Sequence, residues 1–323
     1  MRRVNLAYVF LVVITMNVPL AVLGVVYASL FLNFFLVTTF DSLSPRMGEA
    51  DGLSPPQLSV ILSIKSFVNM AASPILALLS SKIPILFMYI GCSACIAIAY
   101  IGVAFSSSLT GFCISRAFHG VGAAGLVIGG MSVLMNCVPK HLRGKYASLA
   151  YSSAGHAPLI APVLSGLMYK AFGQRLTFLI PGIATTAVTV CSFFVLRKAL
   201  SVPVRHSSTD EVTTIKKSDM WPCVKRIFSN PIAFVAFAGI FSEGFSWGCC
   251  ESTLPQMLSD WVNPETGERL SVLAVSMIYS VGPLTFTLLA PLVGYLVDKV
   301  GHYKILLIGL TLYVGLYPTF HLM

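Results

Sequence analysis

Residues 109–137 read LTGFCISRAFHGVGAAGLVIGGMSVLMNC, an apolar run in which Arg116 is the single formal charge and glycines recur along the segment. A helix of about twenty mostly apolar residues is long enough to cross the hydrocarbon core of a membrane. Glycines in such a helix let neighbouring backbones approach closely. The run therefore predicts a membrane-spanning helix that packs tightly against other helices.

Eight further apolar runs lie on either side of this one. The nine candidates cover 4–40, 58–80, 84–106, 109–137, 146–172, 176–196, 231–255, 271–297 and 305–323. Each is predicted to be a helix, because hydrocarbon offers no hydrogen-bond partner to backbone groups outside the segment. We therefore expect an all-α membrane protein surrounded by membrane lipid.

The composition supports this class of protein. The chain of 323 residues is 56% hydrophobic and 10% charged, whereas about a quarter of the residues in soluble domains are charged. This excludes a secreted or cytosolic globular enzyme. The net charge of +9 would suggest nucleic acid as the partner of a soluble protein, but loops of membrane proteins collect the same excess, so no nucleic-acid partner is expected. The eight cysteines lie almost entirely in apolar runs, which predicts small buried residues rather than disulfides or a metal site, and no cofactor is expected.

Positive charge is distributed unevenly between the predicted loops. With the N-terminus in the cytoplasm, fifteen Lys and Arg residues fall in inward loops and four in outward loops. The inward set is Arg2, Arg3, Lys82, Lys140, Arg143, Lys145, Arg197, Lys198, Arg205, Lys216, Lys217, Lys225, Arg226, Lys299 and Lys304, and the outward set is Arg46, Lys170, Arg175 and Arg269. Cytoplasmic loops are enriched in these residues, so a cytoplasmic N-terminus is predicted. The acidic residues Asp41, Glu49 and Asp51 would then lie in the first outward loop.

The longest polar stretch indicates how the chain is divided. Residues 197–230 contain clusters of Ser, Thr and Lys and are predicted to form a cytoplasmic linker. Residues 1–196 would form a bundle of six helices, and residues 231–323 a partial bundle of three. The second part then has half as many helices as the first, which suggests a fragment, a splice form or an incomplete gene product of a twelve-helix protein.

Four charged residues cannot be assigned to loops: Lys65, Arg116, Glu243 and Glu251 lie inside predicted helices. A bare charge in mid-membrane costs several kcal/mol (about 2.5–3.5 on insertion scales), so such groups face protein or water and often mark a transport path. The alternatives are an ion pair that holds helices together, or a side chain that reaches the interface from a helix end.

Lys65 and Glu251 are the strongest candidates for a transport site, because each shares a helix face with other polar or aromatic side chains. The residues that share a face with Lys65 at helical spacing are Ser59, Ser63, Ser66, Asn69 and Ser73. Glu243, Trp247 and Glu251 follow one another at intervals of four, so they also share a helix face. A carboxylic acid in a dry site can exchange a proton near physiological pH. When ionised, it could instead bind a cationic substrate, for which Trp247 offers a ring face.

Two further features concern packing and movement. His119 is one turn from Arg116 and is interpreted as an interior histidine rather than a proton relay. Pro158 and Pro162 lie four residues apart in the fifth run, where they bend the helix and favour either rocking against a neighbour or static irregular packing. A membrane-embedded hydrolase that pairs a serine with His119 or His156 is disfavoured, because the sequence has no Gly-x-Ser-x-Gly motif.

These residues resemble the major facilitator superfamily of secondary transporters. Three segments carry the resemblance: Arg116-x-x-x-Gly120, Ala161-Pro162-x-x-Ser165-Gly166 and Gly294-Tyr-Leu-Val-Asp298-Lys299-Val-Gly301-His302. Within the superfamily, the chain is similar to vesicular amine transporters at Ser63-Ile-Lys65, at Ile114 to Gly122, at Tyr169 to Gly173 and at Glu251-Ser-Thr-Leu254-Pro255. The chain departs from that group in one respect: it has no aspartate between Val4 and Phe40, where vesicular amine transporters have one in their first helix.

The resemblance implies a multi-pass antiporter that exchanges protons for a small organic cation. Lys65 and Glu251 would carry coupling and binding, supported by Arg116, Glu243, Asn69 and Trp247. Asp298, Pro158 and Pro162 would serve gating. The membrane would be that of a vesicle or the plasma membrane. Alternatives are a drug or sugar carrier of the same superfamily, or a non-transporting membrane protein that dimerises or binds a partner chain.

Overall fold

The computed structural model describes residues 18–80, 82–138, 143–201, 225, 229–262, 267–300, 304–305, 307–309 and 311–312. Its helices are α1 (Val18–Asp51), α2 (Pro55–Leu79), α3 (Ile85–Phe105), α4 (Leu109–Cys137), α5 (Arg143–Tyr151), α6 (Ser153–Ser201), α7 (Pro231–Asp260), α8 (Val272–Tyr279) and α9 (Val281–Val300). An isolated antiparallel bridge joins Val262 and Arg269. The prediction of an all-α fold is confirmed.

The helices α2, α3 and α4 match their predicted runs to within a few residues. The predicted fifth run, 146–172, is covered by α5 and the first part of α6, and the predicted sixth run, 176–196, by the second part of α6. The break expected between the two runs lies at Gly173, where φ is 72°. A left-handed backbone is readily adopted only by glycine, so this residue permits the chain to turn. The eighth predicted helix is interrupted at Ser280 between α8 and α9. Most of the ninth predicted run, 305–323, lies outside the described residues.

The first helix is longer than predicted, and the predicted outer loop from Asp41 was wrong. Helix α1 continues to Asp51 through Pro45. Proline has no N–H for the carbonyl four residues earlier, and here the Ser44 hydroxyl donates to the Asp41 carbonyl oxygen at 3.0 Å. The Ser42 hydroxyl likewise donates to the carbonyl of Thr39 at 3.2 Å. Serine side chains thus satisfy the backbone where the sequence indicated a loop.

The described chain forms two compact units. The first contains residues 1–212 and 252–280, and the second contains residues 213–251 and 281–323. In the second unit, the Phe241 and Phe245 rings of α7 stack with centroids 6.5 Å apart. The predicted division into 1–196, 197–230 and 231–323 stays a prediction.

The core of the first unit lies between α1, α3, α4 and α6. Its fully buried residues include Val26, Leu30, Tyr100, Leu126 and Phe178. The Tyr100 hydroxyl of α3 donates to the Leu32 carbonyl of α1 at 2.8 Å. Hydrogen bonds of this kind join helices where no water is present to compete.

Glycines in α4 set its distance from two neighbours. A Cβ placed on Gly120 would lie 2.6 Å from the Lys65 carbonyl oxygen of α2, and one on Gly122 would lie 2.6 Å from Cγ1 of Ile96 in α3. These distances are shorter than real Cβ contacts, so α4 approaches both helices through its glycines. The close packing predicted from residues 109–137 is confirmed.

Six helices within the described residues are long and apolar enough to cross a membrane. Their outward faces carry large apolar side chains such as Phe67, Ile98 and Phe194. An exposed apolar surface of this extent is expected where lipid, and not water, surrounds the protein.

Candidate functional site

A buried ion pair joins α1 to α4. The Arg116 guanidinium donates through Nη2 to Oδ1 of Asp41 at 2.9 Å, and the two side chains are only 2% and 3% exposed. Removing two charges from water costs several kcal/mol per ion in real proteins, so a buried ion must be paired and well hydrogen-bonded. Arg116 was predicted from the sequence to be a site residue. Its charge is neutralised by Asp41, which was predicted to lie in a loop.

His119 and Asn33 extend the pair into a network of four side chains. Arg116 donates through Nη1 to Nδ1 of His119 at 3.4 Å. On the other side of the ring, Nε2 of His119 lies 3.2 Å from Oδ1 of Asn33. Both His119 and Asn33 are buried. The interpretation of His119 as a hydrogen-bonded interior histidine agrees with these contacts.

Aromatic rings enclose the ion pair. The guanidinium carbon of Arg116 lies 4.2 Å from the centroid of the Phe40 ring, a distance at which the ring face attracts the cation. Phe40 in turn packs against Phe112 of α4 and Phe178 of α6, with centroids 6.1 and 6.3 Å away. These rings exclude water, which strengthens the attraction between Arg116 and Asp41.

Lys65 lies on α2, next to the glycine segment of α4 that contains Gly120. Its side chain is half-buried. On the same helix, the Ser73 hydroxyl donates to the Asn69 carbonyl at 2.7 Å and lies 3.2 Å from Oδ1 of Asn69. The Ser63 hydroxyl donates to the Ser59 carbonyl at 2.8 Å. The predicted polar stripe is thus present on α2, and part of its hydrogen-bonding capacity is used by the helix itself.

Four predicted site residues have side chains outside the described part of the structure. Glu243, Trp247 and Glu251 belong to α7, and Asp298 belongs to α9. Their predicted roles stay predictions. Pro158 and Pro162 lie in α6 and are both buried.

Two residues of the network, Asp41 and Asn33, were missed from the sequence. They lie eight positions apart on α1, which places them near one face of a helix. Asp41 follows a long apolar run and precedes Ser, Pro and Gly residues, so the sequence favours a loop. Arg116 itself could have indicated that such a residue exists, because a buried guanidinium requires an anion from another helix.

A second polar contact joins α1 and α6. The Tyr27 hydroxyl and Nδ1 of His156 are hydrogen-bonded at 2.9 Å, and both side chains are partly buried. Tyr27 lies on α1, fourteen residues before Asp41. The ion pair and this hydrogen bond therefore attach α1 to two different helices, α4 and α6.

The C-terminal end of α1 carries an exposed ionic cluster. Arg46 pairs with Glu49 at 3.1 Å, and Glu49 pairs with Arg269 at 3.0 Å. Nη2 of Arg46 also donates to the Leu270 carbonyl at 2.9 Å. These contacts hold the segment before α8 against the end of α1.

Among the residues that the structure describes, no group of three or more His, Cys, Asp or Glu side chains could hold a metal ion.

The apolar helices and the buried ionic network define a multi-pass helical membrane protein. The model of the Major Facilitator Superfamily matches residues 26–323. The chain therefore belongs to the Major Facilitator Superfamily, and the resemblance seen in its motifs is confirmed. The matched proteins are transporters and not enzymes.

Curated relatives are similar over much of this chain. The synaptic vesicular amine transporter of Rattus norvegicus is 21% identical over 258 residues, which cover 79% of this chain and 46% of the relative. The human protein of the same name is 21% identical over 256 residues, with the same two coverages of 79% and 46%. The chain thus spans about half the length of the curated relatives it matches.

Solved structures share the fold. The peptide transporter POT in complex with sulfate has a TM-score of 0.64 at 14% identity, over 87% of this chain and 69% of that chain. The nucleoside transporter NupG also has a TM-score of 0.64 at 14% identity, over 88% of this chain and 69% of its own. At these identities, the likeness shows the transporter fold alone.

Proposed function

We propose that this protein is part of a secondary transporter that exchanges protons for a small organic cation, such as an amine, by alternating access. The N-terminus would be cytoplasmic, and the membrane would be that of a vesicle or the plasma membrane. The similarity to synaptic vesicular amine transporters supports the substrate class. Because the chain spans about half of those relatives, the proposal concerns the whole transporter, which includes the possibility of a dimer or a partner chain.

The observation that carries the proposal is the buried pair of Asp41 and Arg116, at 2.9 Å between apolar helices. Ionisable groups inside a membrane protein are costly and typically mark the path of an ion or proton. A proton that binds Asp41 removes the charge that neutralises Arg116. Protonation therefore weakens the attraction between α1 and α4, which is the link between chemistry and helix movement that coupling requires.

The other predicted residues complete this scheme. Lys65 and Glu251 would form the coupling and binding network with Arg116, while Glu243, Asn69 and Trp247 would shape the cation site. A carboxylate of α7 would bind the cation, and a tryptophan ring face would stabilise it further. Gating would involve Asp298 at the cytoplasmic end of α9, and the bend that Pro158 and Pro162 produce in α6.

Uptake of a labelled amine into acidified membrane vesicles that contain the protein tests the proposal. We expect uptake that requires the proton gradient in the wild type and in the control Ser132→Ala, whose hydroxyl donates to the Ile128 carbonyl of its own helix. Asp41→Asn and Glu251→Gln are both expected to abolish it. A rise in vesicle pH is followed with an internal dye. Because a neutral amine that diffuses into the vesicle also takes up a proton, only the part of the rise that is lost in Asp41→Asn and Glu251→Gln is assigned to antiport.

Other outcomes would contradict specific parts of the proposal. Amine uptake that is unchanged by Glu251→Gln would reject the amine site on α7. Uptake of sugars or neutral drugs, without amine uptake, would indicate another carrier of the superfamily. Amine uptake that appears only when a partner chain is co-expressed would show that this chain does not transport alone.

A further inference from the structure

We propose that His119 is a positioning residue: its neutral imidazole, protonated on Nε2, holds the Arg116 guanidinium in place for Asp41. The inference deepens the proposed function and rests on it. His119 is fully buried between α1 and α4, and it contacts both Arg116 and Asn33. Its hydrogen bonds run to Arg116 and Asn33, so its effect on Asp41 is exerted through Arg116.

The positions of the hydrogens follow from the partners. A guanidinium can only donate, so Nδ1 of His119 must accept the hydrogen bond from Nη1 of Arg116. The proton of the neutral ring is then on Nε2, where it is donated to Oδ1 of Asn33. A doubly protonated ring would turn Nδ1–H towards the guanidinium and place two donors against each other. The network therefore fixes both the tautomer and the charge of His119.

The surrounding charges favour the same state. Arg116 on the same helix and Lys65 on α2 both place positive charge near His119. Both are cationic, whereas the carboxylate of Asp41 is already engaged by Nη2 of Arg116. A positive charge on His119 would add a third cation to a site that holds one anion from α1.

Holding Arg116 in this way matters for orientation. The guanidinium has a hydrogen bond to Asp41 on Nη2, one to His119 on Nη1, and the Phe40 ring 4.2 Å from its centre. A long flexible side chain loses considerable entropy when it is fixed in one rotamer. His119 fixes the second nitrogen, so that the first remains directed at Asp41 when the carboxylate releases or binds a proton.

Nitrogen NMR of the protein labelled with ¹⁵N-histidine, in lipid nanodiscs at neutral pH, tests the proposed state without any transport assay. The signal of His119 is identified by its loss in the His119→Gln variant. We expect the neutral ring with its proton on Nε2. An imidazolium, or a neutral ring protonated on Nδ1, would overturn the proposal.

Amine uptake tests the role. Glutamine offers one acceptor and one donor and can replace the neutral ring, so His119→Gln should keep uptake within about two-fold of the wild type. His119→Leu removes both hydrogen bonds and should lower the maximal rate at least about ten-fold, because one of the two bonds is made to a charged group. Ser132→Ala on the same helix is the matched control and should be unchanged.

The outcomes separate the role of His119 from the proposed function. Equal uptake by His119→Leu and the wild type would overturn the positioning role, and so would an equal loss in His119→Gln and His119→Leu with both variants folded. If the wild type takes up no amine, the proposed function fails, while the NMR result still decides the state of His119. If His119→Leu does not fold, the rate of His119→Gln and the NMR result decide.

Discussion

The Asp41 and Arg116 side chains illustrate how a membrane protein tolerates full charges. Each would be costly alone, and a buried pair is often no more stable than apolar residues of the same volume. Here the guanidinium has two hydrogen-bond acceptors and an aromatic face. Such a site therefore fits the transport role proposed above better than a contribution to stability.

Replacing one member of this pair should destabilise the protein far more than replacing both. We expect Asp41→Asn or Arg116→Gln alone to lower the free energy of unfolding by about 3–5 kcal/mol, because each leaves an uncompensated buried charge. The double variant should lose much less than the sum of the two. Denaturation in detergent measures the three variants and gives the coupling energy.

The exposed pair of Glu49 and Arg269 is the matched control. Its side chains are 44% and 53% exposed, and exposed pairs contribute about 0.2–1 kcal/mol. The coupling energy from Glu49→Gln and Arg269→Gln should therefore fall in that range and decrease with added salt. A coupling energy for Asp41 and Arg116 as small as that of the control pair would contradict the ionic network.

The hydroxyl of Tyr27 provides a second test among single side chains. Its hydrogen bond to His156 joins α1 to α6 at 2.9 Å. Tyr27→Phe should therefore lower the free energy of unfolding by about 1 kcal/mol. Tyr151→Phe is the control, because Tyr151 is exposed and packs its ring edge against Phe34. Equal effects of the two substitutions would show that the hydrogen bond to His156 does not stabilise the helix pair.

The sequence identified one half of the ion pair and missed the other for a physical reason. Arg116 lies within a continuous apolar run, so its charge is conspicuous, whereas Asp41 lies where hydropathy falls and Ser, Pro and Gly begin. The helix continues there because Ser44 satisfies the carbonyl that Pro45 leaves open. That compensation depends on side-chain geometry, which periodicity does not encode.

The helices themselves were largely predictable, because hydrophobic length is a direct consequence of the solvent. The predicted run 109–137 coincides with α4. The break between the predicted runs 146–172 and 176–196 was also predictable, and it lies at Gly173, where the backbone leaves the helical conformation. The interruption at Ser280 between α8 and α9, inside the predicted run 271–297, was not predicted.

Close packing between α2 and α4 makes a prediction at Gly120. A Cβ at this position would lie 2.6 Å from the Lys65 carbonyl and 2.8 Å from Cβ of Val68. Gly120→Ala should therefore force the helices apart and lower the free energy of unfolding by about 1–3 kcal/mol. Thermal unfolding in detergent measures this loss.

Gly91→Ala is the control for helix propensity, since nothing lies within 4 Å of a Cβ at Gly91 in α3. This substitution should be neutral or should stabilise the helix by about 0.5–1 kcal/mol. If Gly120→Ala behaves like Gly91→Ala, α2 and α4 are not in the close contact described above.

The proposed orientation of the chain in its membrane is supported by the loops and by the cluster at the end of α1. Arg46 near that end donates to the Leu270 carbonyl, so residues 269–270 lie on the same side of the membrane as the C-terminal end of α1. Each short connection from α1 to α4 reverses the chain, which places the segment after α4 on the opposite side. The positive charge of that segment, at Lys140, Arg143 and Lys145, supports the proposal that it is the cytoplasmic one.

Engineered glycosylation tests this orientation, because the sequence contains no Asn-x-Ser/Thr acceptor of its own. An acceptor sequence on a short flexible spacer, inserted after Pro264, should be glycosylated in a eukaryotic host and lose mass on treatment with an endoglycosidase. The same insert after Lys140 should remain unmodified, since the transferase acts only on the lumenal side. The insert with its Thr replaced by Ala controls for the mass of the spacer. Modification after Lys140 but not after Pro264 would invert the orientation, and the coupling scheme would then require protons to enter Asp41 from the other side.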